Sequence, residues 1–338
     1  MINYKKSASA IFEAIKKSKR ILLHLHPSPD GDSIGSALAM YLYLKDIGKK
    51  VTLIKGDSEL PQNFRNQPGF SEITKQNYFD TNLSKYDLFI ILDTAAPNQI
   101  SKIENITFPS NLKTVNIDHH GSNPVFANVN LVDDTVMSTC QLVYELFKNW
   151  KVKITPEIAI NLFIGIYTDT GFKYQKTTSR TFTIASELVE INPDFPKYIF
   201  EIENNSEPGQ IYFKGAALSS IELFFNQHVA ISSVSFETLT KNNLSSRHTE
   251  KSGISNILIS VSGWDIGISM VEYKPGICSV SMRTRNAEKY DLSKICEATG
   301  AGGGHTVAAG ATIKKPLPEA KKFLLDIIQK FHPDLGNP

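Results

Sequence analysis

Four short apolar runs constrain this chain more than any other feature: RILLHLH (20–26), KKVTLIK (49–55), YDLFIILD (86–93) and KTVNIDHH (113–120). The first reads as a strand buried on both faces, and the others are short, apolar and rich in β-branched residues. After the first run, SIGSALAMYLYLKDIG (33–48) carries apolar residues at helical spacing and stops at Gly48. MSTCQLVYELFKNW (137–150) and TPEIAINLFIGIYTD (155–169) read as further helices. The second has Thr155 as N-cap, Pro156 at the first helical position and Glu157 in the first turn. Strands alternating with helices predict an α/β fold with a doubly wound parallel sheet.

A chain of 338 residues exceeds one typical core, so two domains are expected. The helix-like SRTFTIASELVEI (179–191) is followed by NPDFPKYIFEIENNSEPGQ (192–210), rich in Pro, Asn and Glu, which reads as a linker or connecting helix. The expected boundaries are 1–190 for the first domain, 191–214 for the connection and 215–338 for the second domain. Beyond the connection, NQHVAISSVSF and WDIGISMVEYKPGICSVSMRTR alternate more strictly, with Lys274-Pro275-Gly276 as a turn between two strands. This half reads as a smaller α+β domain with a partly antiparallel sheet.

Lys and Arg number 36 against 34 Asp and Glu, too small an excess for the wide basic face of a duplex-DNA binder. A local basic pocket for a small anion remains compatible with that balance. Cys140, Cys278 and Cys296 are far apart and include no CxxC pair. Neither a disulfide framework nor a zinc knuckle fits them, and a reducing compartment suits them. The opening MINYKKSASAIFEAIKKSKR reads as a lysine-studded amphipathic helix, not a signal peptide. No apolar run is long enough to predict a membrane span. A cytoplasmic protein is expected.

Residue types that bind metals fall where strands end. The first run ends at His26, with Asp30 and Asp32 close behind; the third ends at Asp93; the fourth ends in Asp118-His119-His120. Asp169 is expected just past the helix that ends IGIYTDTG. In a parallel α/β sheet the carboxyl ends of the strands share one edge, where ligands bind. Five carboxylates and at least two imidazoles would gather there, and carboxylates a few ångströms apart cannot all stay ionised without cations. Carboxylate and imidazole ligands without thiolate suit Mn²⁺, Mg²⁺ or Fe²⁺ better than a structural zinc. Two such ions about 3.5–4 Å apart form the usual phosphoryl-transfer clamp. Each piece also has a plain structural reading: Asp32 or Ser33 as a helix cap, His24 as a packed histidine beside the site. The conjunction points to a metal centre. In the second half, Gly302-Gly303-Gly304 before His305 would let backbone N–H groups approach an anion. Arg283 suits a bidentate grip on phosphate, and a flexible turn is the alternative for the glycines.

In chain order, the motifs are HPSPDGDSIGS (26–36), ILDTA (91–95), NIDHHGSNPVFANVN (116–130), YTDTGFKYQKTTSRT (167–181), SMRTR (281–285) and GGGHTVAAG (302–310). With these the chain resembles the DHH phosphoesterase superfamily over nearly its whole length, and within it the nanoRNase/pAp phosphatase branch. The resemblance implies a dinuclear site with His26, Asp30, Asp93 and Asp169 on one ion and Asp32, Asp93, His119 and Asp169 on the other. Asp93 and Asp169 would bridge. It further implies that Asp118 orients His119 and that His120 faces the scissile phosphate. Arg283, His305 and the amides of Gly303 and Gly304 would hold the substrate's phosphate, with the active site in the cleft between the domains. Two Mn²⁺ ions are implied, with Mg²⁺ or another divalent ion as substitutes. The implied activity is hydrolysis of short oligoribonucleotides, as an exonuclease, or of 3′-phosphoadenosine 5′-phosphate (pAp), by water that the metals activate. The implied partners are short single-stranded RNA or a small nucleotide, neither duplex DNA nor a membrane, and a homodimer is allowed.

Two positions depart from the family pattern: Ala301 stands at the first of four usual glycines, and Thr284 follows the arginine where serine is usual. Both bear on substrate contacts. A cyclic- or linear-dinucleotide phosphodiesterase is the close rival within the superfamily, while GGGH disfavours a manganese pyrophosphatase. DGDSI (30–34) also mimics a haloacid dehalogenase-type phosphatase with Asp30 as covalent nucleophile. In that scheme HPSP would intervene between strand and nucleophile, and DHH would have no role. A non-catalytic nucleotide-binding regulator would have lost ligand positions, all of which are filled here.

Overall fold

The computed structural model describes residues 4–173 and 177–336, so Tyr174, Gln175 and Lys176 of the 167–181 motif lie outside the described residues. The first three residues of the expected N-terminal helix do as well. The chain divides into two compact units, Met1–Asn205 and Ser206–Pro338.

In the first unit, α1 (Tyr4–Lys17) precedes β1 (Arg20–His24), α2 (Gly31–Asp46), β2 (Lys50–Ile54), β3 (Ile73–Thr74) and β4 (Leu88–Leu92). There follow β5 (Lys113–Asp118), β6 (Val129–Val132), α3 (Thr139–Asn149), α4 (Pro156–Thr170), α5 (Ser179–Ile191) and α6 (Phe195–Glu203). The six strands pair in parallel in the order β3-β2-β1-β4-β5-β6. From β1 the chain proceeds to one side, toward β2; from β4 it proceeds to the other, toward β5. Strand order therefore reverses between β1 and β4, and a crevice opens beyond their carboxyl ends.

Alternate residues of β1 and β4 serve two cores. Ile21, Leu23, Leu88, Ile90 and Leu92 pack with the helices, while Leu22, Phe89 and Ile91 pack with Ile54, Tyr78, Ile100 and Leu112 on the opposite face. Both faces are dry, which is why these strands read as unbroken apolar runs.

Helix α2 begins two residues earlier than the sequence suggests. Its cap is Asp30, not Asp32 or Ser33: the Asp30 carboxylate accepts from the N–H groups of Asp32 (3.1 Å) and Ser33 (3.0 Å). That choice places Asp32 inside the first turn, fully buried. Asp169 likewise lies within the last turn of α4 and not beyond it, because the helix runs to Thr170 before Gly171, at φ +51°, ends it. The two helices approach through glycines. A Cβ on Gly35 would sit 2.4 Å from the Asn161 carbonyl oxygen, and one on Gly165 would sit 2.2 Å from the Cys140 sulfur.

The 191–214 stretch is largely helical. Phe195, Tyr198, Ile199 and Ile202 of α6 pack against the core of the first unit. In the second unit α7 (Pro208–Ser219) leads to β7 (Ile221–Phe224), β8 (Val229–Val234), α8 (Phe236–Lys241), α9 (Lys251–Leu258) and β9 (Ile266–Lys274). Then come β10 (Ile277–Thr284), α10 (Leu292–Glu297), β11 (Gly302–His305), β12 (Ala308–Ile313) and α11 (Leu317–Phe331). This sheet is mixed, in the order β11-β12-β10-β9-β8-β7, with β8 and β9 parallel and the other described pairs antiparallel. The β9–β10 hairpin turns at Gly276, at φ +70°. GGGH is a strand, β11, at the edge of the sheet. Among the described residues no helix is long and apolar enough to cross a membrane.

Candidate metal centre

Beyond β1 the chain stays extended through Leu25 to His26, whose N–H is held by the Ser33 hydroxyl at 3.2 Å. Asp93 is the first residue past β4 and adopts a left-handed backbone, φ +52°. That conformation is uncommon for any residue but glycine, and Asp and Asn tolerate it best. Asp118 closes β5, and His119 and His120 follow it. Helix α3 supplies the remaining support: the N–H groups of Thr139 (2.6 Å) and Cys140 (2.8 Å) donate to the two oxygens of Asp32. The positive end of the helix thus faces a carboxylate that has no access to water. The Thr139 hydroxyl also donates to Asp93, at 3.1 Å.

These elements bring together every metal-binding residue expected from the sequence. His26 Nε2 stands 3.6 Å from both Asp30 Oδ1 and Asp93 Oδ2. His119 Nε2 stands 3.6 Å from Asp93 Oδ1, 3.4 Å from Asp169 Oδ2 and 3.9 Å from Asp32 Oδ2. Three overlapping groups able to hold a cation result among the described residues, His26–Asp30–Asp93, Asp32–His119–Asp169 and Asp93–His119–His120, so that Asp93 and His119 each belong to two of them. Separations of 3.4–3.9 Å exceed a hydrogen bond. They are close to the spacing between neighbouring donors around a cation with bonds of about 2.1 Å. His26, Asp30, Asp93, His119, His120 and Asp169 wall a pocket of about 550 Å³, together with Ala95, Gln99 and Ser122, whereas Asp32 is fully buried.

Electrostatics favour a cation there. Burial, then the charges of Asp32, Asp30, Asp169 and Asp118, push the Asp93 carboxyl well above its ordinary range. Burial also raises Asp32, against the opposing pull of His119 and the Cys140 and Thr139 amides. Burial would raise Asp30 too, but the nearby His26 imidazole and the hydrogen bonds from the Ser33 and Asp32 amides outweigh it and hold this carboxyl low. Burial lowers His119, which suits a neutral, ligating imidazole. His24 is buried and pushed down to about 3, so it is a neutral packed histidine, edge-on to Phe89 and 3.4 Å from the Thr94 hydroxyl. The donor set therefore fits divalent cations: buried acids that repel one another, and imidazoles kept neutral among them.

One expected contact is different. Asp118 does not hold His119; its Oδ1 lies 2.8 Å from Nδ1 of His120. Residues 118 and 120 share a side of the extended chain leaving β5, and residue 119 faces the other way. The hydrogen bond that His120 donates to Asp118 is the main reason that His120 is raised above the ordinary imidazole range. Sequence reasoning missed Thr139, which meets Asp32 from 107 positions away. It also missed Asn116, although an asparagine inside a buried apolar strand is itself a signal.

In the second unit, Arg283 pairs with Ala308 in the β10–β12 register, and Ala308 pairs with His305 in the β11–β12 register. Directly paired residues share a face, so Arg283 and His305 lie on one side of the sheet, about 10 Å apart across an alanine. This is the less buried side of β10 and β12. The Arg283 guanidinium donates to the Met282 carbonyl at 2.9 Å.

A model of the DHH family N-terminal domain matches residues 20–166, and a DHHA1 domain model matches residues 238–332. The chain is a DHH-family protein. The DHH match contains every residue of the candidate cation-binding groups except Asp169, which lies three positions beyond it, and the DHHA1 match contains Arg283 and the GGGH strand. A bifunctional oligoribonuclease and PAP phosphatase NrnA from Thermus thermophilus is 27% identical, over 92% of this chain and 89% of its own. The protein of the same name in Bacillus subtilis is 27% identical, over 91% and 93%. An exopolyphosphatase-related protein from Bacteroides fragilis shares the fold, with a TM-score of 0.86 at 24% identity over 98% of each chain.

Proposed function

We propose that this DHH-family chain is a phosphoesterase dependent on two divalent cations, Mn²⁺ by preference, that hydrolyses short oligoribonucleotides and pAp. The observation that carries the reading is Asp93, a buried carboxylate shared between two histidine–carboxylate clusters in a crevice of about 550 Å³. The relatives named oligoribonuclease and PAP phosphatase support the substrate class.

His26, Asp30, Asp93 and Asp169 would hold one ion, and Asp32, Asp93, His119 and Asp169 the other. Bound cations would supply Lewis acidity toward phosphoryl oxygens and lower the pKa of water near neutral pH. The chain's own residues do the rest. The α3 amides and Thr139 fix Asp32 and Asp93, so the ligands do not reorganise during turnover. His120, its Nδ1 committed to Asp118, donates a proton from Nε2 to the leaving oxygen. Arg283, His305 and the Gly303 and Gly304 amides hold the substrate's phosphate. The catalytic domain is 1–190 and the substrate-binding domain 215–338, joined by 191–214. A reducing, cytoplasmic setting suits three buried free cysteines.

The test is hydrolysis of a panel by the Mn²⁺-supplemented protein: pAp, pApA, RNA of two to five residues, cyclic dinucleotides and pyrophosphate. Release of AMP from pAp and of mononucleotides from RNA is expected. Hydrolysis confined to cyclic dinucleotides or to pyrophosphate, or none at all by metal-loaded protein, would overturn the assignment.

A further inference from the structure

Beside the metal cluster lies a polar network that neither the ligands nor the substrate groups account for. The Asn123 side-chain amide donates to Asp118 Oδ2 (2.7 Å) and to Asn116 Oδ1 (2.7 Å), with the Thr94 carbonyl at 3.2 Å. Its own oxygen accepts from the Val125 N–H at 2.8 Å. Asn116, wholly buried, donates in turn to the Thr94 carbonyl at 3.2 Å. Only one orientation of Asn123 satisfies this set. The flipped amide would set its oxygen against three other oxygens and its NH₂ against an N–H.

The network reaches two functional groups at once. Asp118, gripped through Oδ2, presents Oδ1 to His120. The Thr94 carbonyl belongs to the residue after Asp93, whose left-handed backbone is bracketed on both sides. Its own N–H donates to the Ile117 carbonyl at 3.0 Å, and the Thr94 hydroxyl donates to the Leu92 carbonyl at 2.9 Å. Such a conformation persists only where its surroundings over-determine it. Asn116 and Asn123 complete that bracket.

We propose that Asn123, backed by Asn116, is a positioning residue that locks Asp118 onto His120 and, through the Thr94 carbonyl, holds the left-handed backbone that presents Asp93 to the metals. This rests on the phosphoesterase reading for its catalytic half and on geometry alone for its metal half.

The test uses the full chain with Asn123→Leu, Asn123→Asp and Asn116→Leu. Asp at 123 keeps the shape and the Val125 bond but opposes oxygen to oxygen at Asp118 and Asn116, so it carries the test should a leucine variant fail to fold. For Asn123 variants, kcat on pAp and dinucleotide RNA is expected to fall by about 10–100-fold, the range for losing the partner of a metal-site group, with KM nearly unchanged. Hydrolysis of bis(p-nitrophenyl) phosphate, whose leaving group needs no proton, should fall far less. For Asn116→Leu, the Kd of Mn²⁺, titrated calorimetrically into metal-free protein, should rise about tenfold. A purely structural role would lower both substrates equally by reducing the folded fraction. Equal losses on both substrates, or folded variants with parental kcat and Mn²⁺ Kd, would overturn the proposal. If the parent hydrolyses none of these esters, the phosphoesterase reading fails, and the Mn²⁺ titration still decides the metal half.

Discussion

Asp93→Asn tests the centre at a buried carboxylate that lies within reach of both His26 and His119. The amide has the same shape, and Asn tolerates a φ of +52° as Asp does, so the backbone need not move. In the metal-free protein the Asp93 carboxyl is raised, by burial first and then by its acidic neighbours. A carboxyl raised on folding favours the folded state below the unfolded pKa of about 3.9 and loses that advantage as pH rises through the folded value. At pH 7 the advantage is gone or going, while an amide has none to lose. The metal-free variant should therefore be at least as stable as the metal-free parent. With Mn²⁺ present the sign reverses. A ligand at 100 times its Kd stabilises by about 2.7 kcal/mol, and if Kd rises 100-fold the same concentration gives about 0.4 kcal/mol. The difference, about 2.3 kcal/mol, is worth about 5–9 °C in a unit of roughly 200 residues. Scanning calorimetry at pH 7 should show the Mn²⁺-induced rise in Tm shrink by that much, and turnover of pAp should fall at least ~100-fold. A variant that keeps the parental Mn²⁺ shift and a rate within tenfold of the parent refutes the reasoning.

Chelation is expected to abolish turnover, and Mn²⁺ to restore it better than Zn²⁺, because the ligands include no thiolate; full activity of verified metal-free protein would contradict this. Arg283→Ala should raise KM for pAp by about 10–150-fold, the loss of a charge-assisted hydrogen bond of about 1.5–3 kcal/mol. The variant's Mn²⁺ Kd, measured in the same preparation, should match the parent's. Gly165→Ala would set a Cβ 2.2 Å from the Cys140 sulfur and 2.9 Å from Asp32 Oδ1, and should destabilise by about 1–3 kcal/mol. Cys140→Ala in the same chain should recover part of that loss in urea unfolding; strictly additive effects would refute the close contact.

The strand ends were legible because a buried parallel strand is largely apolar, so the acid or histidine that closes an apolar run marks the carboxyl edge. That logic finds Asp93 directly, and His26 and Asp118 once His24 and Asn116 are recognised as polar residues buried inside their strands. Period-two alternation also places residue 120, not 119, beside Asp118, although adjacency in DHH draws attention to the nearer histidine. The connecting stretch, read as a linker or a connecting helix, is helical where Phe195, Tyr198, Ile199 and Ile202 fall at i, i+3, i+4 and i+7. Other features had no local signal. DGDS offers several caps, and the choice of Asp30 follows from where Asp32 must sit to meet the α3 amides. Thr139 acquires its role only when the fold sets the start of α3 against α2.

Helix packing is what forces the acids together. Gly31 meets Thr168, Gly35 meets Asn161, and Gly165 meets Cys140 and Asp32, so α2 and α4 approach nearer than any side chain at these positions would allow. A glycine inside a helix costs roughly 0.5–1 kcal/mol relative to alanine, so this approach is not free. It brings Asp32 on α2 and Asp169 on α4 to one imidazole, His119. The convergence adds repulsion to the cost, visible in the raised carboxyls of Asp93 and Asp32. Two α3 amides and the Thr139 hydroxyl offset part of it, all of them donors of partial charge. Full neutralisation of several buried carboxylates takes integral positive charge, and His119 is held neutral by burial. The demand for cations is thus set by backbone contact between two helices, before any substrate is considered.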